Sequence, residues 1–125
     1  EDIENRQEKN ARVAYLNIKD IGDHSKIAKD LVVSLQNSII RYVGAIDALT
    51  VIKIKKDDAK TREEADLARR LAHNALISNL DILNRYCVKH KLDREWRNMV
   101  GLDRKQVTAW ALLVAPTIIQ ERIGV

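Results

Sequence analysis

The sequence predicts an all-α fold, and three observations carry that expectation. One proline and four glycines in 125 residues leave little from which to build hairpins or a sheet. The apolar residues, 46% of the chain with no phenylalanine among them, recur every three or four positions instead of alternating. Residues 61–90 run without a single glycine or proline. The expected architecture is one domain over 1–125, an elongated bundle of three long helices plus a short C-terminal helical pair.

The first helix is expected near 3–21. Its early turns offer only Ile3 to a core, whereas Val13, Ala14, Leu16, Ile18 and Ile21 follow later. Gly22 and Asp23 break the pattern, and Ser25 can cap the next helix by accepting an amide proton. That second helix, near 25–54, carries Ile27, Leu31, Leu35, Ile39, Tyr42, Ile46 and Leu49 on one side. A narrower stripe of Val33, Ile40, Gly44 and Val51 runs along the other, with Asn37 and Asp47 between. One reading buries this helix on two sides within a single chain. The other makes the stripe a subunit interface, with Gly44 admitting a second helix closely.

The short charged link 55–60 makes the second and third helices an antiparallel hairpin. The third helix is expected near 61–90, opened by Thr61 and Glu64 at capping-box spacing. Placed at about 100° per residue, its apolar residues, among them Leu71, Leu76, Leu80, Ile82 and Leu83, cover most of its circumference. Such a helix belongs in the middle of a bundle. Three shorter helices then follow, near 93–100, 103–115 and 117–123. Asp93 and Asp103 stand as caps, Gly101 as a stop, and Pro116 as the residue that ends or kinks the second of them. Val107, Trp110, Ala111 and Val114 form a regular dry stripe, and both Trp96 and Trp110 are expected in a core.

Composition bounds the function only loosely. The net charge of +4 admits nucleic acid as a partner without selecting it. A single cysteine excludes an internal disulfide and fits a reducing compartment. The charged start E-D-I-E-N-R-Q-E-K-N has none of the character of a secretory leader, and the apolar run 109–115 is too short for a bilayer. A cytoplasmic protein without a membrane role is the expectation.

Three groups of residues invite chemistry. Arg69 and His73 lie one turn apart at the edge of the dry side of the third helix and are candidate ligand contacts. The competing reading pairs Arg69 with Asp66, and sets Asn79 as a buried amide fixing register. Cys87 and His90 could share a metal ion, but no second ligand pair of that spacing exists, so no metal and no cofactor is expected. Asp20, Asp23 and His24 read as a turn and cap. No phosphate-binding loop or nucleophile elbow is present.

Three resemblances follow. Arg85-Tyr-Cys-Val-Lys-His90 resembles the motif of HEPN-type ribonucleases, dimeric helical nucleases with Arg and His a few residues apart; the position after Arg, polar in that family, is Tyr86 here. The segment D-R-E-W-R-N-M-V-G-L-D-R-K-Q-V-T-A-W-A-L, residues 93–112, resembles a helix-turn-helix. That resemblance implies DNA contact through Arg104, Lys105, Gln106 and Thr108, although Arg97 stands where the family carries a small residue. A plain bundle-capping pair is the competing reading. Residues 69–87 resemble a family of small bacterial all-helical proteins of unknown function, which implies a bacterial or phage source and no activity.

The reading this supports is a non-enzymatic interaction module that self-associates, with Val33, Ile40, Gly44 and Val51 as the candidate dimer interface. A small DNA-binding regulator is the alternative, and a ribonuclease stands third.

Overall fold

A computed structural model describes residues 3–55, 58–92 and 104–123. Four α-helices account for them: α1 (Ile3–Gly22), α2 (Lys26–Lys55), α3 (Ala59–Lys89) and α4 (Arg104–Ile123). The described residues contain no strand. The helix expected near 93–100, with Trp96, Gly101, Leu102 and the Asp103 cap, lies outside them.

Capping chemistry sets the joints. Between α1 and α2 the chain turns through Asp23 and His24, whose amides donate to Asp20 O and Ile21 O at 3.1 and 3.0 Å. Ser25 then accepts the Ala28 amide on its hydroxyl at 3.1 Å, the N-cap role its position predicts. The α3 cap differs from expectation. Asp58, not Thr61, occupies it, with its carboxylate 2.7 Å from the Thr61 amide. That bond holds the Asp58 carboxyl below its usual range. At its other end α3 closes in a Schellman arrangement: Lys91 N donates to Val88 O at 3.3 Å, and Leu92 N to Cys87 O at 2.9 Å. Lys91 takes the left-handed conformation, φ 55°, where glycine is the usual choice, and Leu92 packs against the core.

The hub of the bundle is α2. It packs along α3 as the expected hairpin, and against α1 and α4 on other sectors of its surface. Leu35, Ile39 and Tyr42 are fully buried at the meeting point of the four helices. From α1, Tyr15, Ile18 and Ile21 reach in at three-residue spacing; α3 contributes Ala72, Leu76, Leu80, Leu83 and Cys87. The central position predicted for α3 is therefore corrected. Leu71 and Ile82 are about half exposed, because α3 leans on α2 and presents its far side to water.

The C-terminal arrangement also departs from expectation. Instead of stopping at Ala115 and restarting, α4 runs as one helix with Pro116 inside it. Pro116 is exposed, so the ring sits on the water side, where the missing amide bond is least costly. The dry stripe is as predicted: Val107, Trp110, Ala111 and Val114 are buried, joined by Ala115 and Ile118.

Candidate functional site

The stripe predicted on α2 faces outward. Val33 and Val51 are exposed, Ile40 is half-buried against the core, and a Cβ added at Gly44 would meet nothing within 4 Å. Among the described residues nothing covers this side of α2 at Val33, Gly44 and Val51, and only Ile40 of the stripe packs against the core.

Arg69 and His73 occupy one flank of α3, each half-buried and differently engaged. The Arg69 guanidinium turns back along its own helix, with Nε and Nη2 both 3.3 Å from Asp66 Oδ1. His73 lies against the Tyr42 ring at 5.5 Å, and beside it Tyr42 Oη shares a proton with Thr108 Oγ1 at 2.8 Å. His73 Nε2, Asn84 Oδ1 and Trp110 Nε1 are buried without a hydrogen-bond partner among the described residues. Asn79 is only half-buried, since the side of α3 that carries it is not enclosed.

The positions with a helix-turn-helix role divide. Arg104 is the first residue of α4; Lys105 and Gln106 are exposed at its start. Thr108 instead turns inward to Tyr42, tying α4 to α2. Beyond Gln106 the exposed residues of α4 are mixed: Ala109, Leu112, Leu113, Pro116, Ile119 and Ile123 stand in water together with Thr117, Gln120, Glu121 and Arg122.

One cluster was not visible as a unit in the sequence. Tyr86 Oη bridges Ser25 Oγ at 2.6 Å and His24 Nδ1 at 2.9 Å. The His90 ring lies over Tyr86 with centroids 4.3 Å apart, and 5.3 Å from His24. These contacts pin the α1–α2 turn to the end of α3. Residues 24 and 86 are 62 positions apart, so no local spacing announces them. His90 is thereby engaged with aromatic rings, whereas Arg85 pairs with Asp81 at 2.9 Å on the exposed side of α3. Two imidazoles without a third donor make a poor metal site, and among the described residues no group of three candidate ligands forms.

The whole arrangement falls within one family match. Residues 3–122 match the family described as protein of unknown function (DUF3232). The chain belongs to that family. No curated protein and no solved structure matches it. The DUF3232 match takes in all four helices but for the last residue of α4, and with them the α2 stripe, the Arg69–His73 flank and the Tyr86 cluster. An all-helical family of unknown function is thus what residues 69–87 pointed to. In this DUF3232 chain no described helix is long and apolar enough to cross a membrane.

Proposed function

We propose that this chain is a non-enzymatic helical interaction module that self-associates. One observation carries the reading: large apolar side chains stand in water on the outward sides of helices whose inward sides already fill the core. Val33 and Val51 on α2, Leu71 and Ile82 on α3, and Leu112 and Ile119 on α4 are all more than 40% exposed. Single exposed apolar residues are ordinary on a monomer, but aligned sets on the far sides of packed helices mark surfaces that meet other surfaces. The polar groups favour the same reading. Thr108 is engaged with Tyr42 and Tyr86 with Ser25, which fastens helices to one another, and Arg69 pairs with Asp66 of its own helix.

Sedimentation velocity of the purified chain over a wide concentration range tests this. The expected result is a concentration-dependent shift from monomer to a larger species, with the thermal midpoint rising alongside it. A monomer at every concentration would sink the proposal.

A further inference from the structure

We draw no further inference here: the strongest candidate, the apolar groove between α1 and α4 lined by Leu16, Leu113, Val114 and Thr117, is an unpartnered face, and nothing in the structure shows what covers it.

Discussion

Tyr15 holds three helices with one oxygen. From α1, its hydroxyl donates to Glu121 Oε2 on α4 at 2.6 Å and accepts from Gln36 Nε2 on α2 at 3.3 Å. Lys19, one turn on, reaches the other Glu121 oxygen at 2.9 Å. Burial and the neighbouring carboxylate hold the Tyr15 hydroxyl protonated well above its usual range. The donated proton of Tyr15, and then Lys19, keep the Glu121 carboxyl below its usual range. The two shifts act at opposite ends of the pH scale. Glu121 contributes stability that is complete above the ordinary value of 4.5 and is lost as the pH falls through it and on through the lower native value. Tyr15 contributes stability that is complete below the ordinary value of 10.0 and is lost as the pH rises beyond it. In urea titrations across pH, Glu121→Gln should flatten the acid limb of the stability curve. Tyr15→Phe should flatten the alkaline limb and cost about 1–2 kcal/mol at neutral pH. Limbs as steep as wild type in both variants would show that the Tyr15–Glu121 bond carries no weight.

At the scale of elements, α4 is where local rules and tertiary packing disagree. Proline in a helix interior is disfavoured by about 3 kcal/mol relative to alanine, and that rule predicts a break at Pro116. The helix continues because Val114, Ala115 and Ile118 are buried on either side of it, and burial of that stripe outweighs one missing amide bond. Because α4 is continuous, Pro116→Ala gains a donor in mid-helix and should raise stability by about 1–2 kcal/mol, allowing for the freer unfolded chain. An unchanged urea midpoint would point to a helix that stops at Ala115. The same balance explains what could be read in advance. Val107, Trp110, Ala111 and Val114 were legible as buried because a stripe at that spacing admits one dry side. Leu71 and Ile82 were not legible as exposed, since periodicity describes the faces of a helix and not how many neighbours it has. Thr61 and Asp58 both satisfy the chemistry of a cap, and only the backbone path into α3 selects Asp58. Among the candidate site residues, the Arg69–Asp66 pair was readable from its three-residue spacing. The union of His24, Ser25, Tyr86 and His90 depends on where α3 ends relative to the α1–α2 turn, which is a property of the hairpin as a whole.

For the whole molecule, the decisive feature is that α2 is the common neighbour of α1, α3 and α4. Tyr42 of α2 reaches Thr108 on α4 in keeping with that pattern, and Tyr15 of α1 adds a link between two outer helices by reaching Glu121 near the end of α4. A bundle built this way is a spoke arrangement, with most of its apolar burial drawn toward one helix. Its fluctuations should follow the same geometry. Any outer helix can detach while the other two keep their contacts with α2, but α2 cannot open without releasing all three. Backbone amides of Leu35, Ile39 and Tyr42 should therefore exchange with deuterium only through global unfolding, whereas those on the outer helices have cheaper sub-global routes. Measured residue by residue, the slowest exchange should trace α2 through its middle turns. Equal protection across all four helices would instead mean that the bundle opens as a single cooperative unit.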